Sequence, residues 1–329
     1  MMKKRNILYW AMGVILMPLL GSCTSDDVIG SAGREEHDIT SGQPMTVTSE
    51  TRAADGTQFE NGEIVWMWAN KSPGNSEYIK AWKLIADGAG GFSSGAAKYW
   101  PSDGSSLNVY ALHGNFTTPP TEGTTLWNVQ FTHAVETVQD SDDKRRLSDL
   151  LFSHPATAVV PKSTVQLAFD HLLAKITVKL DLSASKGIVA SELKDANVML
   201  TDIVPFGSFY MSSLLEGAGV SKNTVHSPKD ITAGTITQPS DMSSPAYEVG
   251  SAIVPLQIFG ATYHNKITIT LTDGRSFSYT PADVTLAKGN EYIYTLKIIK
   301  GKLSVSSITV NPFTTETTQE KNWPIYVGS

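Results

Sequence analysis

The sequence predicts an all-β protein built from β-sandwiches. In its second half, apolar residues such as Ile176, Val178 and Leu180 alternate with polar ones, which gives a strand one buried face. The pair Asp273-Gly274 between two such runs is typical of a tight hairpin turn. Since almost no segment has the helical period, a series of about seven short strands separated by turns favours a sandwich.

The first half of the chain predicts strands in a less regular pattern. Residues 64–69 are apolar on both faces, which indicates a central strand. A β-prone run at 45–51 precedes it, and a charged stretch at 136–146 predicts an exposed loop. The other strand-like runs cover 78–85, 107–112, 127–133 and 147–152.

The second half predicts strands around one long polar loop at 212–245, with two short candidates for helix at 183–194 and 281–286. Its strand-like runs cover 165–169, 176–180, 198–204, 206–211, 247–259, 266–271, 277–279 and 291–299. Breaks at Pro155 and Pro161 predict a domain boundary. We therefore expect one β-sandwich over 53–160 and a second over 161–329.

The first 22 residues predict a lipoprotein signal peptide. Basic residues at 3–5 precede an apolar run over 7–20, which is shorter than the roughly 20 residues of a bilayer span. The run ends in Leu20-Gly21-Ser22-Cys23, which resembles the lipobox of bacterial lipoproteins, where the cysteine thiol carries a diacylglycerol. Cys23 is the only cysteine of the chain, so it has no disulfide partner within it.

Residues 23–52 are expected to form a lipidated leader that contains a removable strand. Residues 24–44 are polar, as in a tether. The stretch 24–27, Thr-Ser-Asp-Asp, resembles the acidic signal that sends lipoproteins of Bacteroidales-type bacteria to the cell surface. We expect the lipid to hold the protein on the outside of the outer membrane.

Composition excludes several functional classes. The net charge of −6 and the lack of a basic patch argue against nucleic acid as a partner. Its seven histidines have no metal-ligand spacing, and the chain has no nucleophile elbow or phosphate-binding loop. Asp140, Asp142 and Asp143 lack the glycine turn and distal glutamate of a calcium loop, which favours a solvated surface. We expect no catalytic residues, no metal and no cofactor.

Six short blocks, in order, resemble fimbrillin-like proteins of Bacteroidales-type bacteria. They are Phe59-Glu60-Asn61-Gly62-Glu63-Ile64, Tyr99-Trp100-Pro101, Ser148-Asp149-Leu150-Leu151, Phe169-Asp170-His171-Leu172-Leu173-Ala174-Lys175, Ala252-Ile253-Val254-Pro255 and Gly289-Asn290-Glu291-Tyr292-Ile293-Tyr294. The resemblance covers roughly residues 45–310.

The resemblance implies two tandem transthyretin-like β-sandwiches and a role as stalk, tip or anchor of a surface fimbrium. In such proteins an Arg-specific protease removes the leader and the first strand, which opens an apolar groove. A C-terminal strand of another subunit then fills this groove. The implied partners are other fimbrial subunits, the outer membrane and a host or bacterial surface ligand.

Two bonds are candidates for the processing step. We prefer Arg52-Ala53, since it follows the β-prone run and precedes the block that starts at Phe59. Arg34-Glu35 is the other candidate, but cleavage there would leave residues 45–51 in place. In a basal anchor, Arg52 would be an ordinary surface residue and the leader would stay attached.

The C-terminus has the pattern of a donor strand. Trp323, Ile325 and Val327 alternate with other residues, as in a strand that seats three side chains in a groove. A terminal strand paired within its own domain would show the same pattern. Pro324 suits an edge strand in both cases.

A monomeric, anchored glycan-binding lipoprotein is the alternative function. It would stack sugars on exposed tryptophan rings. Because the candidate rings all fall in strand-like segments, core packing is the favoured interpretation for Trp66, Trp68, Trp82, Trp100 and Trp127.

Overall fold

The computed structural model describes residues 42–49, 58–127, 129–155, 157–237 and 246–313. Strands dominate these residues, which confirms the all-β prediction. The strands of the first half are β1 (Val47–Ser49), β2 (Ile64–Ser72), β3 (Glu77–Ala86), β4 (Phe92–Ser93), β5 (Ser106–His113), β6 (Gln130–Ala134) and β7 (Leu151–Ser153).

The second half of the chain contains the remaining strands, β8 to β20. They are β8 (Val165–Leu167), β9 (Asp170–His171), β10 (Ala174–Leu180), β11 (Asn197–Ile203), β12 (Phe206–Tyr210), β13 (Lys229–Thr235), β14 (Tyr247–Val254), β15 (Ile258–Phe259), β16 (Lys266–Thr270), β17 (Ser276–Tyr279), β18 (Val284–Thr285), β19 (Asn290–Ile299) and β20 (Lys302–Pro312). The α-helices of the described residues are α1 (Asp142–Ser148) and α2 (Met211–Leu215).

A six-stranded antiparallel sheet, in the order β4-β3-β2-β5-β7-β9, contains the predicted central strand. β2 lies between β3 and β5 and is buried on both faces. Val65 and Met67 pack into one core cluster, whereas Trp66 and Trp68 pack into another. Alternate residues of a strand point to opposite faces, so this sheet separates two apolar layers.

Two four-stranded sheets, β14-β10-β19-β20 and β13-β11-β16-β17, enclose the larger core cluster. Val178 of β10 and Tyr294 of β19 belong to this cluster, and so do Leu200 of β11 and Ile269 of β16. The arrangement is that of a β-sandwich.

The two sheets approach closely at a pair of glycines, where β13 lies next to β14. A Cβ atom added to Gly234 would lie 2.7 Å from the carbonyl oxygen of Val249 and 2.9 Å from the Cα of Gly250. Only residues without a side chain allow the two backbones to come so close.

Predictions of local structure were wrong in four segments. The expected loop at 136–146 contains α1, whose acidic residues form i,i+3 ion pairs with Arg145 and Arg146. Of the two helix candidates, 183–194 contains one 3₁₀ turn, Ala190–Glu192, and 281–286 contains the strand β18. The long loop expected at 212–245 contains β13.

In the described part of the chain, no helix has the length and apolar content that crossing a membrane takes. The division into two domains at residues 160 and 161 stays a prediction.

Candidate functional site

The candidate site is a slot in the protein that is filled by residues 42–49 of the same chain. β1 forms a parallel ladder with β8, in which Val47 lies opposite Val165 and Ser49 opposite Leu167. Just before β1, the amide of Val165 donates a hydrogen bond to the carbonyl of Thr46 at 2.8 Å. β8 therefore forms one side of the slot.

The residues 90–100 form the other side. The amide of Met45 donates to the carbonyl of Lys98 at 2.8 Å, and that of Trp100 donates to the carbonyl of Gln43 at 3.0 Å. Further along, the amide of Ser49 donates to the carbonyl of Gly90 at 2.9 Å. The segment 42–49 is thus hydrogen-bonded along both edges, like an internal strand.

Alternate side chains of this segment point into an apolar core. Met45, Val47 and Ser49 are 8%, 4% and 5% exposed, whereas Thr46 between them is exposed. Met45 and Val47 belong to the core cluster that one face of β2 also joins. Burial of an apolar side chain of this size contributes about 1.5–3 kcal/mol, so the segment contributes to stability as well as covering the slot.

The 90–100 side of the slot is held in place from behind. The indole nitrogen of Trp82 donates to the carbonyl of Ala96 at 3.0 Å, and the hydroxyl of Tyr78 donates to the carbonyl of Tyr99 at 2.8 Å. Both donors lie on β3, outside the segment 42–49. This side is therefore supported by contacts that do not involve β1.

β8 depends more strongly on β1. In the described ranges, β1 is its only ladder partner. Val165 and Leu167 are buried, at 0% and 1% exposure. If β1 left, β8 would lose its ladder and its two side chains would lose part of their cover.

Phe59 fixes the chain beyond the slot. Its buried ring lies 5.1 Å from that of Phe169 and 5.8 Å from that of Phe92, measured between centroids. The preferred processing bond, Arg52-Ala53, lies between Ser49 and Phe59 and outside the described residues. A cut there would separate the segment in the slot from the anchored ring.

The other predicted site residues also lie outside the described part of the chain. They are the lipidation residue Cys23 and the three apolar residues of the C-terminal strand, Trp323, Ile325 and Val327. Arg34, in the second candidate bond, lies outside it as well. Their roles stay predictions.

The three acidic residues of the cluster form ion pairs with basic residues of helix α1. Asp142 pairs with Arg145 at 2.5 Å, Asp143 pairs with Arg146, and Asp140 pairs with Lys144 at 3.4 Å. The Arg145 guanidinium lowers the pKa of the Asp142 carboxyl below its usual value. In the ranges that the structure describes, no three His, Cys, Asp or Glu side chains are grouped so that they could hold a metal ion.

His133 has a structural role. It is fully buried; its Nδ1 accepts from the amide of Asn115 at 3.1 Å, and its Nε2 donates to the carbonyl of Ser148 at 2.9 Å. Burial lowers the pKa of His133 to about 4, so its ring is neutral at physiological pH.

The tryptophans that could have bound sugars are core residues. Trp66, Trp68, Trp82 and Trp100 are at most 7% exposed, and Trp127 packs partly buried against the larger cluster. The rings of the first four are therefore not available as sugar platforms.

A family model described as fimbrillin-like matches residues 51–312. The chain belongs to the fimbrillin-like family. This fimbrillin-like protein is therefore a fimbrial subunit or adhesin of the cell surface, with a structural and not an enzymatic role, and other fimbrial subunits are its partners.

Solved structures share the fold of this fimbrillin-like protein. A candidate cell adhesion protein from Bacteroides uniformis has a TM-score of 0.60 at 18% identity, over 83% of this chain and 98% of that one. Another from Bacteroides ovatus has a TM-score of 0.60 at 16% identity, over 84% and 99%. A fimbrial protein from Bacteroides vulgatus has a TM-score of 0.50 at 13% identity, over 83% and 100%. Among curated proteins, none matches the chain.

Three of the blocks that carried the resemblance lie around the slot. Tyr99-Trp100-Pro101 forms one side, Phe169 follows β8, and Phe59 packs against Phe169. Tyr78, which holds that side, was not singled out by sequence, and Trp82 was singled out only as a core residue. Their position in a strand-like run was visible, but the carbonyls that they bind lie far along the chain from them.

Proposed function

We propose that this fimbrillin-like protein is a fimbrial subunit that assembles by strand exchange, with residues 42–49 occupying the slot until a donor strand replaces them. The observation that carries the proposal is that the slot segment pairs along both edges and also fills an apolar core. Departure of this segment would expose backbone groups beside apolar side chains. A donated strand satisfies both, because it adds ladder hydrogen bonds and seats alternate side chains.

The processing bond in this proposal is Arg52-Ala53. Cleavage there frees the slot segment, while Phe59 keeps the new N-terminus attached to the core. Because donor and acceptor are different surfaces of the subunit, the contact is heterologous and repeats into a filament.

The donor in this proposal is the C-terminal strand with Trp323, Ile325 and Val327. In this proposal the subunit has two tandem transthyretin-like domains, over 53–160 and 161–329, and the donor strand lies at the end of the second domain. The role is that of a stalk or tip subunit if the leader is removed, and that of an anchor if it is retained.

The lipid belongs to the export stage of the same proposal. Cys23 would be acylated after signal cleavage and would hold the unprocessed protein on the outer face of the outer membrane. Radiolabelled fatty acid should enter the wild-type chain and not the Cys23→Ala chain. Equal labelling of both would contradict this part of the proposal.

Processing and polymerisation test the proposal directly. The purified chain is treated with an Arg-specific protease, sequenced from its new N-terminus and followed by electron microscopy. We expect a start at Ala53 and fibres from wild type, but no fibres from Arg52→Ala. Arg34→Ala is the matched control and should still form fibres. Fibres from Arg52→Ala with the leader intact would overturn the proposal.

Deletion of residues 320–329 tests the donor. We expect the processed, truncated chain to fold and to stay monomeric. Fibre growth by that chain would show that another segment is donated.

A further inference from the structure

The edge strand β20 has three apolar residues that face the core but are not covered. In the antiparallel ladder with β19, Val310 lies opposite Tyr292, Ile308 opposite Tyr294 and Val305 opposite Leu296. Residues that lie opposite each other in such a ladder point to the same face. The three β19 residues are at most 3% exposed, so their β20 partners face the core as well.

These β20 residues are nevertheless partly open to solvent. Val305, Ile308 and Val310 are 38%, 48% and 50% exposed, whereas Leu303 on the same strand is 6% exposed. The strand that packs against β20 from the facing sheet is β17, which has 4 residues against the 11 of β20. The facing sheet is thus too short to cover the length of β20.

The outer edge of β20 is also unpaired in the described part of the chain, because β20 ends its sheet. A long edge strand with a free row of backbone groups beside apolar side chains is a site for strand addition. We call this site, formed by residues 305–310, the β20 edge.

The chain itself supplies a segment next to this edge. Phe313, directly after β20, is fixed by a hydrogen bond from its amide to the carbonyl of Gly289 and by stacking on His171, with 3.7 Å between the ring centroids. Residues 314–329 continue from this fixed point. The leader, in contrast, enters the described residues at Gly42, beside the 90–100 side of the slot.

The spacing of the C-terminal apolar residues fits the β20 edge. If residues 314–322 connect back, one antiparallel register places Ile325 opposite Val310 and Val327 opposite Ile308. In that register Trp323 lies opposite Pro312, and all three apolar side chains face the core side of the sheet.

We propose that, before assembly, residues 323–327 lie antiparallel along the β20 edge of their own chain. That they are afterwards donated to the slot of the next subunit rests on the proposed function. Strand storage covers the exposed residues of β20 and keeps the segment from pairing prematurely with other chains.

The two binding places differ in a way that gives the exchange a direction. At the β20 edge a strand is paired along one side, whereas the slot pairs its occupant with β8 and with residues 90–100. A vacated slot therefore offers a second row of hydrogen bonds, and the segment moves to it once the slot segment has been removed.

Disulfide trapping tests the storage. In the full chain carrying Cys23→Ser, Val310→Cys is combined in turn with Trp323→Cys, Ile325→Cys or Val327→Cys, so that slips of two residues are covered. Val310→Cys with Tyr326→Cys is the matched control, since residue 326 points to the opposite face. Opposed Cβ atoms can bridge and divergent ones cannot. We expect an intrachain disulfide in a same-face pair to exceed the control by roughly tenfold.

A second pair, Ile308→Cys with Val327→Cys, provides an independent readout if the chains that carry Val310→Cys fold poorly. Equal yields in same-face and control pairs would overturn the proposal. So would disulfides that form only between chains, because they would make a second copy the occupant of the β20 edge.

Storage and donation are then separated with the trapped chain. After cleavage at Arg52, the oxidised chain should form no fibres and the reduced chain should form them. If the intrachain disulfide forms but the oxidised chain still polymerises, the segment is stored at the β20 edge but is not the strand that is donated to the next subunit.

Discussion

Val47 lies opposite Val165 in the parallel ladder between β1 and β8, and both side chains are buried, although they are distant in the chain. This pair joins the segment 42–49 to β8, the strand that depends on that segment most. Substitution of Val47 measures how much this contact contributes to the free energy of unfolding.

Val47→Ala should lower the free energy of unfolding of the uncleaved chain by about 2 kcal/mol, because it removes buried methyl groups and leaves a cavity. Thr46→Ala is the control; Thr46 is exposed, so the change should stay within about 0.5 kcal/mol. Chemical denaturation measures both. Equal effects at the two positions would mean that the slot does not bury Val47.

A peptide with the sequence of residues 42–52 should bind the cleaved protein and slow fibre growth, since it restores both rows of hydrogen bonds. The same peptide with Val47→Asp should bind much more weakly, because it places a carboxylate in an apolar site. Fluorescence anisotropy measures the binding of the peptide, and turbidity measures the growth of fibres. Equal inhibition by the two peptides would argue against a specific slot.

Gly234→Ala should destabilise the protein by about 1–3 kcal/mol, since the added Cβ meets backbone atoms of Val249 and Gly250 that cannot rotate away. Gly95→Ala is the control, because Gly95 is exposed and nothing lies within 4 Å of its added Cβ. Thermal unfolding compares the two variants. An unchanged melting temperature for Gly234→Ala would contradict the close approach of β13 and β14.

His133 should make stability depend on pH. Burial lowers its pKa from 6.5 to about 4 in the folded state, so the unfolded chain binds the proton more readily. The contribution of neutral His133 to the free energy of unfolding is fully present above pH 6.5 and is lost as the pH falls toward 4. The total loss is about 3 kcal/mol.

His133→Gln retains a donor and an acceptor but does not titrate. Urea unfolding at several pH values should show a flatter profile for this variant between pH 4 and 6.5. Parallel profiles for variant and wild type would assign the pH dependence to other groups.

Much of the fold follows from local patterns. The two-faced run at 64–69 became the central strand β2, and Asp273-Gly274 became the turn between β16 and β17, where Gly274 has a φ of 88°. In both cases the residues that decide the structure are neighbours in the chain.

The elements that escaped prediction lack a clean local period. In β20 the apolar residues stand at 305, 308 and 310, because a bulge inserts an extra residue opposite Thr295 and Leu296. Helix α1 is stabilised by surface ion pairs, so it has no apolar stripe to reveal it.

The slot could be predicted only in part. The β-prone run before Arg52 and the block Tyr99-Trp100-Pro101 were visible, but their contact joins segments far apart in the chain. Period-two patterns reveal which face of a strand is buried and not which strand lies beside it. The supporting bonds from Tyr78 and Trp82 are of the same long-range kind.

The most direct test of strand exchange is a cryo-electron microscopy map of the assembled fibre. If subunits assemble by strand exchange, each subunit begins at Ala53 and residues 323–327 of a neighbouring subunit lie between β8 and residues 90–100. A map in which residues 42–49 of the same chain still pair with β8 in every subunit would contradict it.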